Sequence, residues 1–259
     1  LRSKPMSRID LKRRAEIGAE RRKKRQAAFI DTAMALIAEA GSLHALTPEA
    51  LMKRAGASRG TFYNYFDGID DVLEHVAAHV MNDLNQSILA TYAGVESGPV
   101  RLAYSISQFF SRAEKDPAWG LCLSKLILEA GKISAESREY FAIDIEFGRA
   151  DGTFTVTDDE VVRNLVGGIA AMGLISIHRG VFDADRKRQT LISMLLALGS
   201  SGAATDAFAH ALLEAHWRDD ADLSDSALLL RLAGDVCEDP VALLARGASA
   251  ALQAESEAQ

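Results

Sequence analysis

The stretch from Thr47 to Phe66 constrains this chain more than any other: Thr-Pro-Glu-Ala-Leu-Met-Lys-Arg-Ala-Gly-Ala-Ser-Arg-Gly-Thr-Phe-Tyr-Asn-Tyr-Phe. Thr47 is a helix N-cap, because its hydroxyl can take a first-turn amide that has no partner inside the helix. Pro48 fits the first helical position, where no amide hydrogen is needed. Glu49 meets the positive end of the helix dipole. The pattern predicts a helix to Ala55, ended by Gly56 in the left-handed conformation. Ser58 offers a second N-cap. The short helix after it sets Phe62 and Phe66 four apart on one face. Two short helices joined by a tight glycine-containing turn form a helix-turn-helix.

The second helix is expected to present Arg59, Thr61, Tyr63, Asn64 and Tyr65 outward, with Gly60 allowing a backbone to approach. Arginine can pair with guanine and asparagine with adenine in a major groove, while threonine and tyrosine hydroxyls suit phosphate oxygens. The competing reading is a polar helix face whose aromatic residues only support a core.

The run Gly56-Ala57-Ser58-Arg59-Gly60-Thr61-Phe62-Tyr63-Asn64-Tyr65-Phe66 resembles the DNA-binding signature of the TetR family of transcriptional regulators. The upstream run Phe29–Ala33 through Leu36–Gly41 is similar to that family's first helix, and the resemblance spans about Gln26 to Val80. It implies an all-α chain, with an N-terminal three-helix helix-turn-helix DNA-binding domain followed by a larger helical ligand-binding and dimerisation domain. Residue chemistry and resemblance together nominate Thr47, Ser58, Arg59, Gly60, Thr61, Tyr63, Asn64 and Tyr65 as DNA-binding residues. The resemblance further implies a homodimer paired through the last two helices of the body, hence a palindromic operator on double-stranded DNA. It also implies a repressor released when a small apolar or amphipathic effector enters each body. Met52 stands where the family usually has Ala, and Ile69 where it usually has a phosphate-contacting Lys.

Charge is distributed unevenly. The first 25 residues hold 11 basic and 3 acidic side chains, although the 259-residue chain carries a formal net charge of −7. A basic arm on an acidic body points to one end that meets a polyanion. The arm has few apolar residues and is interrupted by Gly18. It is expected to be disordered alone, extending the first helix only near Arg25, and is either a solvated tail or an arm that adds phosphate or minor-groove contacts. The expected organisation is a basic arm over 1–25, a DNA-binding domain over 26–70, an effector and dimerisation domain over 71–217, and a C-terminal helical extension over 218–259.

The body reads as successive helices. A fourth helix is predicted over Ile69–Tyr92. Leu102, Ile106, Phe109, Phe110 and Ala113 mark the next, then Leu121–Ala130, then a stripe of Tyr140, Ile143 and Phe147. Asp158 caps an almost wholly apolar helix to His178, whose Gly167, Gly168 and Gly173 allow close packing. A further helix, about Ala184–Leu198, resembles the family's dimer helix and puts Leu191 and Leu195 at the expected contact; Ala203–Trp217 and Ser224–Val236 also read as helices. Phe109, Phe110, Trp119, Met172, Ile175 and His178 are the candidate effector-binding residues.

Other chemistries find no support. There is no phosphate-binding glycine loop, H-E-x-x-H, G-x-S-x-G or zinc-spaced cluster, so the chain offers no catalytic residue and is read as a non-enzyme without cofactor or metal. His75 and His79 lie at ligand spacing but on a polar helix face without a third ligand. Cys122 and Cys237 are far apart, which fits a reducing cytoplasm. The apolar runs Leu165–Ile177 and Leu191–Thr205 are too short or too broken for a membrane span. The alternatives are a nucleoid-type DNA-binding protein without effector, and a protein-interaction module that has lost DNA binding.

Overall fold

Helix ends in this chain are built by side chains at predictable positions. Thr47 Oγ1 accepts from Ala50 N–H at 3.1 Å and starts α2 (Pro48–Ala55). Gly56 ends it with φ 59°, a conformation that costs a residue without Cβ little. Ser58 Oγ accepts from Thr61 N–H at 3.2 Å and starts α3 (Arg59–Tyr63). Asp158 caps α8 (Asp159–His178) through two amides, and Asp183 caps α9 (Ala184–Ala197). The remaining α-helices are α1 (Arg8–Ala40), α4 (Ile69–Tyr92), α5 (Gly98–Lys115), α6 (Pro117–Ala130) and α7 (Ala135–Ala150), and a 3-10 turn spans Leu43–Ala45. These come from a computed structural model, which describes residues 8–92 and 97–200 and shows helices, turns and connections over them. The expected helices beyond residue 200 lie outside the described residues.

The chain divides into two compact units, at Val76/Ala77 within α4. In the first unit, Phe29, Ile37, Leu51, Phe62, Phe66 and Val76 are buried to 1% exposure or less. Phe29 meets Phe62 and Phe66 edge-on, with ring centroids 6.2 and 5.6 Å apart. Arg54 of α2 forms a two-bond pair with Glu39 of α1 at 2.7 and 2.5 Å. That hydrogen bonding holds the Glu39 carboxyl below its ordinary pKa.

The expectation of a disordered arm is overturned for residues 8–25, which are the first turns of α1. Lys, Arg, Glu and Ala are good helix formers, and one Gly in such a run costs only about 1 kcal/mol. The helix already fixed at Phe29 supplies the nucleus that an isolated peptide would lack.

In the second unit α5 packs against α6, α7, α8 and α9, and α6 lies along α8. Gly173 of α8 lets the Phe110 ring approach, since a Cβ there would sit 2.5 Å from Phe110 Cε1. Gly168 meets nothing within 4 Å, so it serves no such contact. The expected α7 stripe is rotated. Ile143 is exposed, while Ser137, Asp144, Ile145 and Gly148 face inward. The reason is local: Gly148 backs onto Gly98, and Asp144 pairs with Arg101. The apolar helix α8 is not buried all round either, because Val161 and Met172 are 52% and 51% exposed. Leu191 and Leu195 of α9 are fully buried inside the subunit, so they cannot form a surface contact between subunits; Leu196 is half exposed instead.

Candidate nucleic-acid interface and ligand cavity

The first candidate surface is α3 with the turn after it. Phe62, fully buried, anchors the short helix to the first unit's core. The rest of the helix is thereby turned outward: Ser58, Arg59, Gly60, Tyr63 and Asn64 are exposed, as is Thr47 at the start of α2. Arg59 lies over the Tyr63 ring, its guanidinium carbon 5.6 Å from the centroid. That stacking orders a long cation without neutralising it.

Three of the nominated hydroxyls also hold the backbone. Thr47 and Ser58 accept the capping amides, and Ser58 Oγ shares a hydrogen with Thr61 Oγ1 at 2.9 Å. Within the Ser58–Thr61 pair one hydroxyl donates to the other, which leaves one hydrogen to offer an external acceptor.

Two positions depart from the expected helix face. α3 ends at Tyr63, so Asn64 is its C-cap and Tyr65 lies beyond it. Tyr65 is half-buried, its ring 5.8 Å from Phe29. Above it lies Arg22 of α1, 5.3 Å from the ring centroid, whose Nη2 also donates to the Asn64 carbonyl at 3.0 Å. Sequence reasoning missed this clamp, since nothing local joins residues 42 positions apart.

The second candidate site is a cavity of about 110 Å³ in the second unit. Leu102, Ile106 and Phe109 of α5, Leu123 and Ile127 of α6, and Val166 and Leu174 of α8 form its apolar walls. One wall is polar. Ser137, Tyr140, Phe141 and Asp144 of α7 line it at i, i+3, i+4 and i+7, and Asn85 of α4 joins them. Asn85 Nδ2 donates to Ser137 Oγ at 2.6 Å, and Ser137 Oγ lies 3.3 Å from Met81 Sδ. Asp144 is anchored by Arg101 Nε at 2.7 Å, and its other oxygen accepts from Ser105 at 3.4 Å. Arg163 reaches the same cavity from an exposed position on α8.

Of the six nominated pocket residues only Phe109 lines this cavity. Trp119 is buried beside it, stacked on Phe109 at 6.1 Å, with its Nε1 donating to Val80 O at 2.9 Å. Phe110 packs on Gly173 and Phe182. Met172 and His178 are exposed, and Ile175 is half-buried. Size and softness were the criteria for nominating them, and those also describe ordinary core residues. The helical spacing of Ser137, Tyr140 and Asp144 was the available signal, one polar stripe on a core helix.

Comparison with known proteins bears on both regions. The sequence profile of the bacterial regulatory proteins of the tetR family matches residues 29–76. Among solved structures, the chain is similar to RolR in complex with the ligand resorcinol. That match has 19% identity, covers 74% of this chain and 95% of RolR, and has a TM-score of 0.51. A TetR family protein from Vibrio parahaemolyticus is also similar, at 19% identity over 67% of this chain and 98% of that one, with a TM-score of 0.49. No curated protein matches the sequence.

Proposed function

The amino-terminal domain of this chain is that of the tetR family of bacterial regulatory proteins, and from that premise we propose a repressor that binds a palindromic operator as a homodimer and is released by a small effector. Support for the DNA-reading surface comes from one observation above all. Arg59, Tyr63 and Asn64 stand exposed on a helix whose orientation is fixed by the buried Phe62 and two caps. Arg59 and Asn64 are the residues assigned to base edges. Tyr63, Thr47 and one member of the Ser58–Thr61 pair offer a hydroxyl hydrogen, and Gly60 its backbone, to phosphates.

The proposed dimer uses the exposed apolar side chains of α8 and α9, Met172 and Leu196 among them, which a second copy would cover. Leu196→Asp is then expected to give folded monomers that bind operator weakly, read by sedimentation and DNA titration.

The cavity supports a small effector with an apolar body. A cavity of roughly 150 Å³ takes benzene, so about 110 Å³ suits one small ring or a body of that size. RolR, which shares the fold, was solved with resorcinol. Here Asn85 is 5% exposed, and its Oδ1 accepts no hydrogen bond from a described residue. A ligand with an apolar body and a donor on one edge would satisfy it. Binding at that wall would release the operator to the extent that the ligand prefers the DNA-free state. The DNA-binding regulator operates where the chromosome lies, in the cytoplasm.

Selection of bound sequences from random duplex DNA tests this reading. Enrichment of a two-fold symmetric site supports it, and no enrichment overturns it. Addition of single-ring phenols and amines to the operator complex tests the effector step. Asn85→Leu should abolish any release they cause.

A further inference from the structure

α1 begins at Arg8, whereas the family match begins at residue 29. Nine basic and three acidic residues lie between Arg8 and Arg25. Every side chain from Glu16 to Arg25 is exposed. Lys24 and Glu20 lie 3.7 Å apart, but Arg13, Arg21, Lys23 and Arg25 pair with no carboxylate among the described residues.

The residue types of this segment favour a helix, but its cations crowd one another along it. Arg21 and Arg25 repel at i, i+4, and Arg22 and Arg25 at i, i+3. Cations near the amino end also oppose the helix dipole. A sequence that conflicts with its own local structure is expected at a functional surface, and an external polyanion would remove the conflict.

The location identifies that polyanion. Arg22 bonds to Asn64 O and covers Tyr65, so α1 passes beside the segment nominated to read bases. From Arg22 back to Arg8 the helix extends roughly 21 Å, at 1.5 Å per residue. Duplex DNA carries one negative charge per about 1.7 Å of axis, and that stretch corresponds to about six base pairs.

We propose that Arg8–Arg25 is a second, helical DNA-binding surface, which runs along the phosphate backbone flanking each operator half-site and accepts any sequence there. The proposal rests on the reading of α3 as the operator-binding element. Arg22 belongs to both surfaces: it ties the helix to the recognition turn and so fixes where the helix can lie. A helix held in this way is too wide to enter the narrow minor groove, so its contacts are to phosphate and carry no base preference.

The test compares the full chain with the variant Arg21→Gln, Lys23→Gln, Arg25→Gln on the selected operator, embedded in long DNA, at several salt concentrations. Circular dichroism and thermal melting check that the variant is folded. The slope of log affinity against log salt should fall by about 0.9 for each lost phosphate contact, hence by up to about 5 for three contacts in each of two subunits. The variant's selected sequence profile should be unchanged. Trimming the DNA flanks to the half-site ends should weaken the full chain more than the variant. Hydroxyl-radical protection by the unaltered chain should extend about six base pairs beyond the symmetric site. An unchanged salt slope, or protection that stops at the half-sites, would overturn the proposal and leave the α3 reading intact. Tighter binding by the variant would overturn it too, by assigning the arm to the acidic remainder of the chain. If random-sequence selection enriches nothing, the α3 reading fails first, and the salt slope on arbitrary DNA still reports on the arm.

Discussion

The two units place their polar residues in opposite ways. Every buried polar or charged residue described lies in the second unit: Asn85, Arg101, Ser107, Ser124, Ser137, Asp144, Lys187 and Ser200. Among the described residues the first unit's core is apolar, and Arg54, Arg59, Tyr63 and Asn64 stand outside, with Tyr65 half-buried. On the proposed reading the small domain keeps its polar groups outside for DNA, and any placed in its core would each need a partner. The second unit encloses space. A cavity that is to discriminate ligands needs polar groups inside, held by other polar groups. The Arg101–Asp144 pair is one polar group held by another at that cavity, with Arg101 also lying 4.8 Å above the Phe147 ring.

The largest expected effect breaks that pair. Asp144→Ala leaves Arg101 charged and buried without its main carboxylate, and should cost about 3–5 kcal/mol. The double change Arg101→Met, Asp144→Leu should recover most of the loss, since an apolar pair of similar volume carries no desolvation penalty. Urea unfolding of the single and double variants measures both. A double variant as unstable as the single one would mean that the pair holds α5 and α7 by geometry that apolar side chains cannot supply.

Next come the outward residues of the first unit. Arg59→Ala and Asn64→Ala should each alter base preference by about 1–3 kcal/mol. Stability should change by no more than about 0.5 kcal/mol, as for most exposed substitutions. Competitive binding against single-base operator variants reads the first, and thermal unfolding the second. If Asn64→Ala destabilises without changing preference, the residue serves the helix cap and the comparison loses one of its outward groups.

The smallest effect sharpens the contrast within the second unit. Burial pushes the Cys122 thiol up to about 12 from an ordinary 9.0. Unfolded chains release that proton near the ordinary value, while folded ones keep it. The contribution is therefore fully present below pH 9 and declines from there towards pH 12. At pH 10 the loss should be about 1.4 kcal/mol. The difference in melting temperature between the chain and Cys122→Ala should narrow accordingly between pH 8 and 10. A constant difference would show that the thiol is reached by solvent in the folded state.

The first unit was largely legible. Thr47, Pro48, Gly56 and Ser58 each act on backbone within a few residues, so the starts of α2 and α3 and the end of α2 follow from the chain itself. Asp158 fixed the start of α8 in the same way. Phe62 and Phe66 were readable as anchors because helical spacing puts them on one face.

Sequence by itself therefore determined most of the helices, the caps of α2, α3 and α8, the anchoring role of Phe62 and Phe66, and the separation of a basic end from an acidic remainder, but not the helical state of residues 8–25. Tertiary structure alone decided where polar groups meet. Arg22 reaches Asn64 across 42 positions, Arg101 reaches Asp144 across 43, and Asn85 reaches Ser137 across 52. Helical periodicity says which residues share a face, but carries no information on which faces meet. The cavity depended on that second choice. Gly173 and Gly148 set how closely α8 and α7 approach α5, and the space left between the helices fixes which residues line it. The same holds for Leu191 and Leu195, whose apolar character fits a core and a subunit interface equally well. Only the packing of α9 against α5 and α8 assigns them to the core.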